Sequence, residues 1–99
     1  MCGIYGVLGG GIDQGFLERA TSTLTHRGPD AAGYYLDDHI GLGHRRLSII
    51  DLSGGQQPIF NEDRSRLIIC NGEIFNHVAL RNELTAKGHT FSTSSDSEV

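Results

Sequence analysis

An apolar run begins immediately behind Cys2 and constrains the fold more than any other segment. Gly3-Ile4-Tyr5-Gly6-Val7-Leu8 is apolar at odd and even positions alike, and Gly9-Gly10-Gly11 ends it. Such a run predicts a short strand buried on both faces, which places Cys2 at the head of a core strand. If Met1 is removed, as the small residue after it favours, Cys2 carries both a thiol and a free α-amino group. In general these groups have reference pKa values near ~8.5 and ~8, so each is partly in its reactive form near neutrality. An amine beside a thiol accepts its proton directly or through one water, the logic of an N-terminal nucleophile.

The remaining composition narrows the function. A chain of 99 residues is expected to form one small domain. Its net charge of −4 argues against a nucleic-acid surface and against a polybasic membrane patch. No apolar run approaches the ~20 residues needed to span a bilayer, and the N-terminus lacks the charged leader of a secretory signal. The two cysteines, Cys2 and Cys70, form no CxxC pattern, and the five histidines have no ligand spacing, so no metal site is expected. A reduced, cytoplasmic setting fits this cysteine usage.

Along the chain, Asp13 is a helix N-cap. It opens a helix reaching about Leu24, with Phe16, Leu17, Ala20 and Leu24 on one face. His26-Arg27-Gly28-Pro29-Asp30 reads as a turn. Residues 33–36 and 40–44 read as two strands joined by the polar Asp37-Asp38-His39. Residues 47–50 form a short apolar segment and 53–58 a loop. Residues 67–70 form a β-prone strand closed by Asn71-Gly72, with Cys70 as a core residue. A helix is expected over 77–87 with Gly88 closing it, and residues 90–93 as a further strand. Ser95-Asp96-Ser97-Glu98 fits the S-x-x-E capping box that starts a helix. Its place beside Val99 is the pattern expected of a longer domain cut short.

These segments, in this order, resemble the class II glutamine amidotransferase domain. The resemblance is carried by Met1-Cys2-Gly3-Ile4, His26-Arg27-Gly28-Pro29-Asp30, Gly43-His44-Arg45-Arg46-Leu47-Ser48-Ile49, Gln57-Pro58, Asn71-Gly72-Glu73-Ile74-Phe75-Asn76 and Ser95-Asp96. Arg-Gly-Pro-Asp and Arg-Leu-Ser-Ile-Ile-Asp are similar to the glutaminase domains of glutamine-hydrolysing asparagine synthetases. The family fold is a four-layer α/β/β/α sandwich of N-terminal-nucleophile type with mostly antiparallel sheets. The expected class is therefore α+β, with residues 1–99 as the N-terminal part of a glutaminase domain roughly twice this length, in line with ordinary domain sizes.

The resemblance also implies roles. Cys2 attacks the side-chain carboxamide of L-glutamine, and Asn71 and Gly72 form the oxyanion hole. Arg46 holds the substrate α-carboxylate, Glu73 and Asp96 its α-ammonium, and the backbone around Leu47 and Ile49 lines the pocket. Asp96 is also compatible with a helix N-cap. Arg45 reads as a surface charge. His26, Arg27 and Asp30 have no chemical step beyond loop shaping around Pro29. Ser53-Gly54-Gly55 starts like the pyrophosphate loop of ATP-dependent synthetases but continues into Gln56-Gln57-Pro58, so no cofactor is expected in this segment. ATP and Mg2+ belong to a C-terminal synthetase domain, the expected partner of the glutaminase, which would amidate aspartate. A homodimer is also open. The alternatives are a non-catalytic glutamine-binding or interaction module, and an amidotransferase with a sugar or peptide acceptor.

Overall fold

The computed structural model describes residues 1–48 and 54–99. Strand β1 (Gly3–Leu8) leads into helix α1 (Gln14–Ser22), and strands β2 (Ala31–Leu36) and β3 (Ile40–Arg46) follow as a hairpin. The three strands form one antiparallel sheet in the order β1-β3-β2, with Gly3 opposite Arg45 and Ala31 opposite Arg46. Asp37 closes the hairpin, as the polar run predicted. Its Oδ1 accepts from the backbone N–H of His39 at 2.7 Å and of Ile40 at 2.9 Å, an Asx turn.

Because side chains alternate along a strand, β3 has two distinct faces. Gly41, Gly43 and Arg45 face α1; Leu42, His44 and Arg46 face away. Glycine is required on the helix side, since a Cβ at Gly43 would lie 1.9 Å from Thr21 Oγ1. Helix α1 therefore rests directly on the strand backbone, with Leu17 and Thr21 at 0% exposure. Asp13 caps the helix as expected, accepting from Phe16 N–H at 2.6 Å.

The buried face differs from the predicted one. Leu17 and Thr21, four residues apart, are inside, and Phe16 is exposed. The helix also ends earlier, at Ser22, where the hydroxyls of Ser22, Thr23 and Thr25 turn back onto carbonyls three residues before them. The second correction concerns β1. It is an edge strand with one face on α1 and the other open, so Ile4 is 50% and Leu8 81% exposed, where burial on both faces was predicted.

Beyond the sheet, β4 (Ile59–Phe60) and β5 (Leu67–Ile68) pair antiparallel as a short ribbon. Phe60 meets Tyr35 of β2 edge-on, with ring centroids 6.3 Å apart. The predicted strand over 67–70 thus stops at Ile68. Cys70 leaves the ladder because its N–H is taken by Gln57 Oε1 and its carbonyl by His44, and its side chain is half-buried, not in the core. The predicted strand over 90–93 is also absent: the Glu98 carboxylate accepts from the N–H groups of Ser92 and Thr93 at 2.7 and 2.8 Å, displacing strand partners.

Helix α2 (His77–Ala86) ends one residue short of the prediction, with Gly88 at φ +97° just beyond it. It buries no residue. Arg81 tethers it, donating to the carbonyls of Thr93 (3.0 Å) and Ser95 (2.9 Å) and stacking over Phe91. The S-x-x-E signal produces one 3-10 turn, Asp96–Glu98. Ser95 caps it through Ser97 N–H, while Glu98 reaches back to residues 92 and 93 instead of completing the box.

The class is α+β with antiparallel sheets, as expected from the resemblance, and is consistent with part of an N-terminal-nucleophile sandwich. Replacing Gly43 with Ala should force α1 off the sheet and destabilise the full-length protein by about 1–3 kcal/mol, the usual cost of overpacking. Gly10→Ala, whose Cβ would meet nothing nearer than 3.8 Å, should change stability by less than about 0.5 kcal/mol. Denaturant midpoints of the two variants check this.

Candidate active site

Cys2 extends β1 past Gly3, and strand alternation puts it on the face opposite α1, together with His44 and Arg46 of β3. It is half-buried. Leu47 N–H points at its sulfur at 3.4 Å, and Arg27 Nε donates to its carbonyl at 3.1 Å. The backbone of the cysteine is thus held from one side by the turn and its sulfur approached from the other by the chain leaving β3.

The Arg-Gly-Pro-Asp turn joins these two supports. A Cβ at Gly28 would fall 2.3 Å from the Arg45 carbonyl carbon, so only glycine lets the turn lie against β3. Arg45 Nε donates to the Gly28 carbonyl at 2.8 Å and its Nη2 to the Pro29 carbonyl at 3.3 Å. Asp30 N–H donates to the Arg46 carbonyl at 3.0 Å, and Asp30 Oδ2 accepts from Ser48 N–H at 2.8 Å. From the sequence, Arg27 and Asp30 have no role beyond loop shaping, and Arg45 is expected to be a surface charge. Arg45 is instead half-buried and clamps the turn, because the close approach at Gly28 brings two carbonyls within its reach. Ile49, expected to line the substrate pocket, lies outside the described residues.

Arg46 is 9% exposed and donates through Nη2 to the Gly54 carbonyl at 2.6 Å. Gly55 lies over it: a Cβ there would sit 3.3 Å from Arg46 Nη2 and 3.5 Å from Ser95 Cβ. A side chain at this one position would meet both the expected carboxylate ligand and the residue before Asp96, so these two parts of the predicted site lie near each other.

Asn71, Gly72 and Glu73 are exposed, but the chain on either side of them is fixed. Before them, the Cys70 N–H donates to Gln57 Oε1 at 2.5 Å, and the Cys70 carbonyl lies 3.2 Å from His44 Nε2. Gln57 reaches this position because Gly33 has no side chain; a Cβ there would overlap the Gln57 carbonyl oxygen. After them, Ile74 N–H donates to Asp96 Oδ2 at 2.7 Å. Asp96 is the first residue of its 3-10 turn and Ser95 the cap, so the expected N-cap role falls to Ser95.

His44 is 1% exposed. Burial pushes its pKa below the ordinary histidine range and the nearby Arg46 charge acts the same way, against the opposing pull of the Cys70 carbonyl. A carbonyl only accepts, so the pairing assigns the proton of the neutral ring to Nε2. Neither His44 nor Gln57 was assigned a role from sequence. The available signal was a histidine alternating with Gly41 and Gly43 on one apolar strand, a position where a polar ring needs a buried partner.

Among the described residues no group of His, Cys, Asp or Glu could hold a metal ion. A cavity of about 400 Å³ lies between β4 with the turn after it and residues 90–93, with Phe60, Arg64 and Phe91 in its wall; Cys2 is not part of it. No helix among the described residues is long and apolar enough to cross a membrane.

Comparison with known proteins places the chain in a family. The family profile described as a glutamine amidotransferase domain matches residues 1–99. The chain is 50% identical over 105 aligned positions to asparagine synthetase [glutamine-hydrolyzing] 1 of Bacillus subtilis (strain 168), covering 100% of the chain and 17% of that protein. It is 44% identical to asparagine synthetase [glutamine-hydrolyzing] 3 of Arabidopsis thaliana, with 100% of the chain and 18% of the relative covered. It is 42% identical to asparagine synthetase B [glutamine-hydrolyzing] of Escherichia coli (strain K12), with the same coverage, 100% and 18%. The chain belongs to the glutamine amidotransferase domain family. It spans less than a fifth of the length of these relatives.

The buried neutral His44 makes stability depend on pH. Its folded pKa lies below its unfolded value, so the unfolded chain takes up the proton first as pH falls below about 6.5. The contribution is complete above that pH and is lost as pH falls through the folded pKa. Denaturation midpoints of the full-length protein measured between pH 8 and pH 5 (about the histidine range) should fall more steeply for the wild type than for His44→Gln.

Proposed function

We propose that this chain is the N-terminal part of a glutaminase domain that hydrolyses L-glutamine through Cys2. Met1 is 72% exposed and so accessible to removal, which frees the Cys2 amine. That amine takes the thiol proton, and the sulfur attacks the side-chain carbonyl carbon of glutamine. The carbonyl electron pair moves onto oxygen, where the Asn71 side-chain NH2 and the Gly72 backbone N–H receive the oxyanion. Collapse of this intermediate breaks the C–N bond; nitrogen takes the proton back and leaves as ammonia. Water then attacks the γ-glutamyl thioester, releasing glutamate and restoring the thiol.

Recognition uses the charges of an amino acid. Arg46 takes the α-carboxylate, Glu73 and Asp96 the α-ammonium, and the segment containing Leu47 and Ile49 lines the pocket. A guanidinium has five N–H donors in a fixed fork, so anchoring on Gly54 and holding a carboxylate are compatible in one side chain. The observation that carries the reading is the convergence of Cys2, His44 and Arg46 on one sheet face, with the Asn71–Glu73 loop tied to that face through Cys70.

In the full-length protein the ammonia passes to a C-terminal synthetase domain that activates aspartate with ATP and Mg2+ and forms asparagine, a reading supported by the names of the relatives. A reducing cytoplasm suits the free thiols of Cys2 and Cys70.

Cys2→Ala in the full-length protein should abolish glutamate release from glutamine while leaving asparagine formation from added ammonia intact. Asn71→Ala should lower the glutaminase kcat by about 10²–10³-fold, the usual effect of losing one oxyanion donor. Glutamate release that survives Cys2→Ala at the wild-type rate would overturn the reading.

A further inference from the structure

We propose that His44 is a positioning residue for the oxyanion-binding loop, holding the peptide plane between Cys70 and Asn71 through its Nε2–H; this rests on the glutaminase reading above. The geometry is specific to that plane. Strand β5 ends at Ile68, so no ladder bond supports the chain at Cys70. Two side chains replace the ladder there. Gln57 Oε1 takes the Cys70 N–H at 2.5 Å, and His44 Nε2 lies 3.2 Å from the Cys70 carbonyl.

These two bonds act on successive peptide planes around one Cα. Because each peptide is planar, fixing both planes fixes the backbone dihedrals of Cys70. The Cys70 carbonyl and the Asn71 N–H share the second plane, so its orientation sets the direction in which Asn71 leaves. From the other end the loop is held by Asp96 on Ile74 N–H. The exposed residues between, Asn71 to Glu73, are therefore aimed by anchors that are themselves inside the fold.

Burial supports the assignment. His44 is 1% exposed on the central strand, where an aliphatic side chain would pack without the cost of burying ring nitrogens. A histidine is useful there only for the hydrogen bond it makes. It stands two residues from Arg46 on the same face, so the helix-free side of β3 supports the oxyanion loop with one residue and the carboxylate site with the other.

The test compares His44→Leu, His44→Gln and Asn71→Ala in the full-length protein. His44→Leu removes the donor and should lower the glutaminase kcat by about 10–100-fold, the scale on which misplaced catalytic groups act, with the KM for glutamine changed less than about threefold. His44→Gln restores an N–H donor and should recover most of the lost kcat. Affinity for glutamate γ-semialdehyde, whose aldehyde adds the Cys2 thiol to give a tetrahedral oxygen, should fall in parallel with kcat. Alkylation of Cys2 by iodoacetamide should proceed at the wild-type rate in all three, showing that the fold around the nucleophile persists. An unchanged kcat in His44→Leu alongside an impaired Asn71→Ala would overturn the assignment, as would a loss that His44→Gln fails to recover. An unimpaired Asn71→Ala would instead overturn the oxyanion role of that loop, and with it this assignment, whereas glutamate release surviving Cys2→Ala would overturn the glutaminase reading itself.

Discussion

Thr21 of α1 lies so close to β3 that a single added methyl group at Gly43 would overlap its hydroxyl. That contact sets the depth of the helix on the sheet and makes one side of the central strand a pure packing surface. With glycine at Gly41 and Gly43 admitting the helix, His44 and Arg46 of β3 project to the other side, where they are buried without competing for space with α1. The same device recurs at Gly33, where the missing side chain admits Gln57, and at Gly28, where it admits the Arg-Gly-Pro-Asp turn. Three close approaches, each requiring glycine, bring one helix and two loops onto one sheet.

What these loops share is that backbone groups are held by side chains and not by secondary structure. Arg27 holds the Cys2 carbonyl, Arg45 holds two carbonyls of the turn, Asp30 holds Ser48, Gln57 and His44 hold Cys70, and Asp96 holds Ile74. Most of these bonds compensate a partly buried backbone group of irregular chain. Irregular chain can thus be kept in place beside a nucleophile, which is how a catalytic loop is preorganised on a rigid sheet.

The sequence made some of this legible. Asp13 as a cap, the Asp37 turn, the β2–β3 hairpin, α2 and Gly88 follow from local rules, because the residues that satisfy those rules lie within a few positions of one another. The short segments around the site did not follow. Residues 67–70 and 90–93 have strand-like composition, yet side chains outside each segment, Gln57 and Glu98, take N–H groups that a strand would need. Residues 3–8 have the composition of a doubly buried strand but occupy a sheet edge. At the site, the candidate residues were named by their motifs, whereas His44, Gln57 and Arg45 were recognisable only once the register placed them opposite the groups they hold.

The central claim is that Cys2 is an N-terminal nucleophile aimed at a glutamine carboxamide. The most direct measurement is the mass of the full-length protein, with peptide mapping, after incubation with a glutamine analogue that carries a diazoketone in place of the carboxamide. The expected result is a chain lacking Met1 with one adduct, the analogue less dinitrogen, on the sulfur of Cys2 and none on Cys70. A chain that retains Met1, or an adduct on Cys70 with Cys2 unmodified, would contradict it.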